Sequence, residues 1–382
     1  MEVLLIGTGG VGTVIARHLA ASNNVDEVVL ADIDLAQAQR VAKKLRSRKL
    51  RAVKLDAGNR TQLDRLMKKK GLVVNSSLPR FNAGLMESAL KHGVRYVDLA
   101  LDDPVKPYRL GKEFRKRGIP AVLGLGEDPG ISNVAARYAA DTMDSVESIR
   151  IRDGETANSR KYPFVCLFSP ATFIQETMER PAIFRDGKLQ RIDNLSDKEI
   201  YDFPEGIGKL PIYSVNHEEV YSLPKNIGKG VKYVDFKLAL TDDTLKYLDV
   251  LNSLGLMSDS PVKIGRNEVR PKDLTLKLIP QPAMLGSDIT GKAILLVEVE
   301  GAKNGSRVKH TIYCHIDHEA AYKKYGVTGT SFLTGTGAAA GALQLIEDEN
   351  MAGGVYAPEQ LDAARYMEIL EDLGIKPVHI VE

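Results

Sequence analysis

At 382 residues the chain is longer than one ordinary domain and predicts two, on a prior of about 150 residues per domain. Its 52 basic and 50 acidic residues leave a net charge of +2, which gives no electrostatic case for a nucleic-acid partner, and 43% hydrophobic residues can build real cores. The longest apolar runs are strand-sized and a strand begins at Glu2, so neither a membrane span nor a secretory leader is expected; the chain reads as cytoplasmic, with Cys166 and Cys314 reduced, buried and without metal-ligand spacing.

The chain opens on Met1-Glu-Val-Leu-Leu-Ile-Gly-Thr-Gly-Gly-Val-Gly12, an apolar strand running into Gly7-x-Gly9-x-x-Gly12, with Asp32 twenty residues further on. This is a dinucleotide-binding fingerprint. Gly7 allows the tight turn, Gly9 lets the backbone approach a pyrophosphate, and Gly12 lets the helix lie close on the sheet. Gly10 and Val11 open that helix, whose N-terminus faces the phosphates. Asp32, with Ile33 beside it, ends a second apolar run, where a carboxylate can accept bonds from both ribose hydroxyls. A 2'-phosphate would meet like charge from Asp32 and Asp34, and no arginine follows before Arg40, so NAD is expected ahead of NADP. The competing role for Asp32 is to cap the helix starting near Leu35.

Strands are predicted at 3–6, 27–31, 51–55, 72–75, 95–99 and 120–124, alternating with helices at 11–21, 35–46, 60–69, 81–91 and 106–117. That alternation predicts an α/β fold, a Rossmann doubly wound parallel sheet over 1–130. Lys70-Gly71 and His92-Gly93 read as helix ends, a cation followed by glycine. After Asp128-Pro-Gly-Ile-Ser-Asn133, a helix opened by Ser132 or Asn133 should lead out of the sheet. An α+β substrate or dimerisation domain is expected over 131–320, with strands at Ser148 to Arg152, Lys232 to Ala239 and Ile294 to Glu300 and an irregular stretch at 154–230. Over 321–382, the small residues of Gly326 to Ile346 predict a helix that packs back on the first domain.

Ligands of doubly wound sheets lie beyond the carboxyl ends of the strands, and this rule selects the site candidates. Asp56 and Ala57, after the third strand, are placed to meet the adenine, unless Asp56 caps the helix near Arg60. Ser76, Ser77 and Leu78, after the fourth, should lie along the cofactor towards the nicotinamide. Asp98, Asp102, Asp103, Glu127 and Asp128 follow the fifth and sixth. These carboxylates invite a cationic substrate, and mutual repulsion raises the pKa of some, a usual route to a general base. The second domain offers His217 and Glu218 as a proton shuttle. Strand alternation puts His315 and Asp317 on one face and His318 on the other, so no metal is expected.

Together these segments resemble the saccharopine dehydrogenase-like family, which includes lysine 6-dehydrogenases, saccharopine reductases and carboxynorspermidine dehydrogenases. The resemblance rests on Leu4-Leu-Ile-Gly-Thr-Gly-Gly-Val-Gly12, Val29-Leu-Ala-Asp-Ile-Asp34, Lys54-Leu-Asp-Ala57, Tyr96-Val-Asp-Leu99, Asp128-Pro-Gly-Ile-Ser-Asn133 and Gly354-Val-Tyr-Ala-Pro-Glu359. It implies reversible hydride transfer between the nicotinamide and a carbon bearing nitrogen, through an iminium. Asp32 and Thr177 to Lys188 resemble the lysine 6-dehydrogenase branch; Asn158 to Phe168 and Asn216 to Leu223 resemble the carboxynorspermidine branch. The expected activity is of the lysine 6-dehydrogenase or saccharopine dehydrogenase type, with the carboxynorspermidine type as the alternative. Asp128, Glu127, His217 and Glu218 are the expected acid–base groups. Arg150, Arg152 and Lys161 are the expected grip on a substrate carboxylate. A homodimer acting on a small amine or amino acid is expected. The rivals are an NAD-binding sensor or assembly subunit without turnover, and a methyltransferase, whose cofactor has no pyrophosphate and would leave the full Gly7, Gly9, Gly12 spacing without a purpose.

Overall fold

The structure, a computed structural model, describes residues 1–382. The first part alternates β1 (Glu2–Ile6), α1 (Gly10–Ala21), β2 (Glu27–Asp32), α2 (Leu35–Leu45), β3 (Leu50–Lys54), α3 (Arg60–Met67), β4 (Leu72–Asn75), α4 (Asn82–His92), β5 (Arg95–Asp98), α5 (Gly111–Lys116) and β6 (Pro120–Val122). The strands pair in parallel in the order β3-β2-β1-β4-β5-β6. Sequence order reverses between β1 and β4, and a crevice opens there beyond the strand ends. The helix predicted over 106–117 is instead a 3-10 turn, Lys106–Leu110, followed by α5, because Pro107 fits only the first turn of such a segment. Gly93 ends α4 in the left-handed conformation, as its sequence suggests, but after α3 that conformation falls on Lys69 at φ 66° and not on Gly71.

α6 (Ile131–Asp141) leads out of this sheet. Its N-cap is Gly130, whose N–H donates to the Asn133 side chain at 2.9 Å, so Asn133 helps to open the helix from inside it. Then come β7 (Ser145–Glu155), β8 (Asn158–Ser159), α7 (Pro170–Met178), β9 (Ala182–Arg185), β10 (Lys188–Arg191), β11 (Glu199–Phe203), β12 (Gly208–Ser214), α8 (Glu219–Ile227), β13 (Tyr233–Ala239), α9 (Asp242–Ser253), β14 (Val262–Ile264), β15 (Asn267–Val269), α10 (Pro271–Leu278), α11 (Pro282–Leu285), β16 (Ile289–Thr290), β17 (Lys292–Lys303) and β18 (Ser306–Asp317). The predicted strands at 148–152 and 294–300 are the centres of β7 and β17, and the one at 232–239 covers all of β13. The stretch expected to be irregular holds α7, α8 and the hairpins β9–β10 and β11–β12.

The chain ends with α12 (His318–Tyr325), α13 (Gly329–Glu347), β19 (Gly354–Tyr356), α14 (Ala363–Asp372) and β20 (Val378–Val381). β19 adds a seventh, parallel strand beside β6, which three residues of strand pattern do not announce. β20 pairs with β18 at the edge of a mixed nine-stranded sheet. All of α13 except Thr334 and Glu347 is buried, as befits a helix that is apolar or small all round. Its small residues permit this: a Cβ on Gly335 would lie 2.6 Å from Val14 Cβ of α1, and one on Gly341 would lie 2.6 Å from Leu125 Cδ1. α13 therefore packs back on the nucleotide-binding sheet, and one continuous core of 64 buried residues joins both sheets through it.

Candidate active site

A cavity of about 490 Å³ runs along the carboxyl ends of the first sheet and under the second. Gly7, Val11, Asp32, Ile33, Asp56, Ala57, Ser76, Ser77 and Leu78 all line it. Gly7 sits at φ +91°, where a side chain would also meet the Ser76 carbonyl. Gly12 shapes the turn from behind, since a Cβ there would lie 2.1 Å from Gly7 O. Gly9 has open space where a Cβ would be, the room a phosphate needs beside the N-terminus of α1. Gly10 faces Ser331 of α13, so Gly9 and Gly10 border a smaller cavity of about 180 Å³ next to the main one.

Asp32 is held by the Thr8 N–H at 2.8 Å, the Thr8 hydroxyl at 2.7 Å and the Asp34 N–H at 2.9 Å. It does not cap α2; Asp34 does, accepting from Ala36 and Gln37. Likewise Asn59, not Asp56, caps α3. Both acids therefore face the cavity without a competing helix role. The open cradle at Gly9 and the Asp32 carboxylate on the cavity wall fit a dinucleotide.

The far end of the cavity is acidic. Asp128 comes from the turn after β6, Asp153 from β7, Glu176 from α7, and His217 and Glu218 from the entry to α8. Alternation along β7 sends Asp153 and Glu155 to the cofactor side and Arg152 to the other. The His217 ring stacks on Phe236 at 3.7 Å and 6°. Its Nδ1 shares a hydrogen with Glu219 at 2.5 Å, and its Nε2 lies 3.9 Å from Glu176. Ser132 donates to Glu219 at 2.7 Å, and the Leu101 N–H donates to Glu218 at 2.8 Å, so both acids are fixed. His217, Glu218 and Glu219 bring potential ligand atoms within 4.8 Å of one another, but the imidazole nitrogen nearest the acids is already engaged by Glu219.

Burial sets the protonation here. It raises Asp153 to about 7, against the pull of His217 and a hydrogen bond with Asp128. Burial, then Asp153, raises Glu155 to about 8, and burial raises Glu176 to about 8 against His217. Asp128 and Glu127 go well above the carboxylate range through burial first and Asp153 second. Burial alone would lower His217, but Glu219, Glu176 and Glu218 together outweigh it and hold the imidazole at about 10. The site thus keeps one cation among acids that burial lifts above the ordinary carboxylate range.

Several expected residues lie elsewhere. Glu127 is buried behind the wall, within 3.5 Å of Thr334, and does not line the cavity. Asp98 is buried and accepts from the Gly124 N–H at 2.8 Å, holding the turn after β6. Asp103 is exposed and accepts from the N–H groups of Val105 and Lys106, a turn role. Asp102 lines a side cavity of about 40 Å³. None of the three expected cations reaches the site. Arg152 points to the opposite face of β7 and is buried against Asp235 at 2.8 Å. Arg150 shares that face and pairs with Glu300 at 3.2 Å. Lys161 sits over the Tyr162 ring at the surface. The only arginine or lysine on the wall is Arg80, exposed after β4. Asp153, Glu155 and Glu176 were missed; the first two continue the strand pattern of Ser148 to Arg152, which was the available signal. His315 faces Glu205 at 3.5 Å, Asp317 caps α12, and buried His318 accepts from the Gly329 N–H, so these three serve separate ends. Both cysteines are free and buried. No helix is long and apolar enough to cross a membrane.

Comparison with known proteins agrees with this geometry. The chain is 29% identical to a carboxyaminopropylagmatine dehydrogenase of Synechocystis sp., over 100% of this chain and 97% of that one. It is 28% identical to a carboxynorspermidine synthase of Vibrio cholerae, over 98% and 96% of the two chains. Among solved structures, it superposes on the Saccharomyces cerevisiae saccharopine dehydrogenase (L-Glu forming) with a TM-score of 0.77 at 16% identity, covering 100% and 99%. A Legionella pneumophila homospermidine synthase in complex with NAD gives a TM-score of 0.70 at 14% identity, covering 99% and 91%. The family model for the saccharopine dehydrogenase NADP binding domain matches residues 3–119, and that for the saccharopine dehydrogenase C-terminal domain matches residues 126–376. A two-domain oxidoreductase of amine substrates that binds NAD(P) is the common ground of sequence, fold and kin, and the chain belongs to the saccharopine dehydrogenase family.

Proposed function

We propose that the protein reduces the imine formed between an amine and a carboxyl-bearing aldehyde, yielding a carboxylated secondary amine, and that it uses NAD ahead of NADP. The observation that carries this reading is the ring of Asp128, Asp153, Glu176 and Glu218 around His217 at the end of the dinucleotide cavity. Such a wall attracts a cationic amine and stabilises the iminium derived from it. The names of two end-to-end relatives, a carboxyaminopropylagmatine dehydrogenase and a carboxynorspermidine synthase, support this choice over the lysine or saccharopine substrate that the sequence favoured.

A dinucleotide held by the Gly7–Gly12 turn and Asp32 would supply hydride chemistry at the carbon that bears nitrogen. Asp153, facing Asp128, takes the proton an ammonium must lose before its lone pair can attack the carbonyl, then returns a proton to the departing water. Glu176 and Glu218 flank the cation that forms. His217, locked by Glu219 and Phe236, favours the ionised forms of Glu176 and Glu218 against the upward pull of burial. Arg80, the one permanent cation on the wall, receives the substrate carboxylate. Asp32 repels a 2'-phosphate, so Asp32→Ala should weaken NADH use about tenfold and NADPH use less.

The test is consumption of the reduced nicotinamide with carboxyl-bearing aldehydes and a panel of diamines and guanidino amines. Turnover with such a pair is expected; NADH binding without turnover for any pair would favour the sensor reading instead. We also propose a homodimer. Val250, Leu254, Val262, Ile264, Leu274, Leu278 and Met284 are 45–73% exposed and all come from α9 to α11, more apolar surface than a monomer keeps in one stretch. Sedimentation of the protein and of Leu278→Asp checks this, with a monomeric wild type refuting it.

A further inference from the structure

A second cavity, of about 250 Å³, adjoins the acidic end of the first. The two share Phe168 and Leu238 in their walls, and the end of β7 runs between them, with Asp153 lining the first and Glu155 the second. Thr330, on the wall of the first cavity, donates a hydrogen bond to Glu155, which fixes that carboxyl at the neck. Beyond the neck the lining mixes apolar side chains, Val165, Leu167, Phe173 and Leu240, with the polar Asn158, Ser159 and Tyr162. At the outer rim stand Thr241, Thr244 and Asp243, the last paired with Lys246 at 2.9 Å. No arginine or lysine lines this second cavity.

The shape and charge of this space decide what fits it. A secondary amine built from an amine and a carboxyl-bearing aldehyde has two arms, one ending in a carboxylate and the other carrying the remaining cationic group. The carboxylate arm would find no counter-ion here, whereas Arg80 lines the first cavity and not the second; a bound cation, by contrast, favours the ionised form of Glu155 and pairs with it. A methylene chain ending in an ammonium or guanidinium can lay its carbons against Val165, Leu167, Phe173 and Leu240 and meets an acid at either end. The other side cavity at the cluster, beside Asp102 and Glu179, is about 40 Å³ against 250 Å³ and offers a methylene chain far less room.

We propose that the second cavity is the seat of the far, cationic end of the amine substrate, and that Glu155 and the depth of this cavity select the amine by charge and length. The inference rests on the imine-reduction reading. It is tested with Ala157→Phe and Thr244→Trp, two wall positions away from the reacting groups, and with Glu155→Gln at the neck. Nicotinamide turnover is measured with one aldehyde and three amines: propylamine, 1,3-diaminopropane and agmatine. The filling variants should lower kcat/KM for agmatine at least about tenfold relative to propylamine. Glu155→Gln should cut the preference for 1,3-diaminopropane over propylamine by about tenfold or more, the scale of one buried charged hydrogen bond. NADH affinity and melting temperature report whether each variant is folded, and either filling variant alone suffices if the other is not. Unchanged amine ratios in folded, active variants overturn the inference while leaving imine reduction standing. A wild type inert with every aldehyde and amine pair overturns imine reduction itself, and the inference with it.

Discussion

Replacing Glu155 by Gln should make the protein more stable, and increasingly so as the pH rises. Burial and Asp153 lift this carboxyl from 4.5 to about 8 in the folded chain, while the unfolded chain ionises it at the ordinary value. Between those two values the folded state holds a proton that the unfolded state has released, so stability declines as pH rises through that window. Each unit of difference is worth about 1.4 kcal/mol, which puts the ceiling near 5 kcal/mol above pH 8. Shared protonation with Asp153, Asp128 and Glu127 spreads the loss over several groups, and about 1–3 kcal/mol is expected from this residue alone. Glutamine keeps the acceptor for the Thr330 hydroxyl and carries no charge. Thermal unfolding of both proteins from pH 5 to pH 9 is the assay. The curves should coincide near pH 5, and the variant should melt a few degrees higher at pH 8.5, an increment of order 2 °C per kcal/mol in a large chain. A pH-independent difference, or a variant less stable at pH 8.5, would refute the argument that this acid is held protonated by its surroundings.

Three further outcomes follow from the same geometry. Oxidation of the secondary amine should rise through an apparent ionisation near 7 that belongs to the Asp128 and Asp153 pair, and Asp153→Asn should flatten that limb of the kcat/KM profile. His217→Gln removes the cation that its acids hold protonated to about 10, so kcat should fall on the order of a hundredfold with NADH affinity within twofold of wild type, as read by steady-state rates and fluorescence titration. Gly335→Val forces a side chain into Val14 of α1, where even a Cβ lies 2.6 Å from Val14 Cβ, and should cost about 1–3 kcal/mol in denaturant unfolding.

The nucleotide half was legible because local chemistry dictates it. A glycine turn between an apolar strand and a helix, then an acid at the end of the next strand, is written in adjacent residues, and Gly7, Asp32 and Ser76 line the cavity at the strand ends. The substrate half was not legible in the same way, because its residues come together only through a mixed sheet. Asp128, Asp153, Glu176 and His217 come from four separate elements spread over ninety residues of chain. Arg152 shows the difficulty most clearly: its side chain is one residue from Asp153 and points to the other face, where Asp235 neutralises it. Sequence alone does not say which face of β7 looks at the cofactor. β19 was missed for a related reason: a three-residue strand gains its identity from β6, not from its own pattern.

The placement of α13 explains why the two halves act as one site. Through Gly10 it touches the phosphate-binding turn, through Gly337 it lies on the turn carrying Glu127 and Asp128, and through Thr330 it bonds Glu155. One helix of small residues thereby holds the glycine turn, the turn of Glu127 and Asp128 and the neck of the second cavity in a single register. Ser331 makes this testable: its Oγ lies 2.7 Å from where a Gly10 Cβ would be, so Gly10→Ala must push α13 away or be pushed by it. If α13 is the common strut, that single methyl should raise KM for NADH and for the amine together, whereas a purely local effect on the glycine turn would move the NADH value alone.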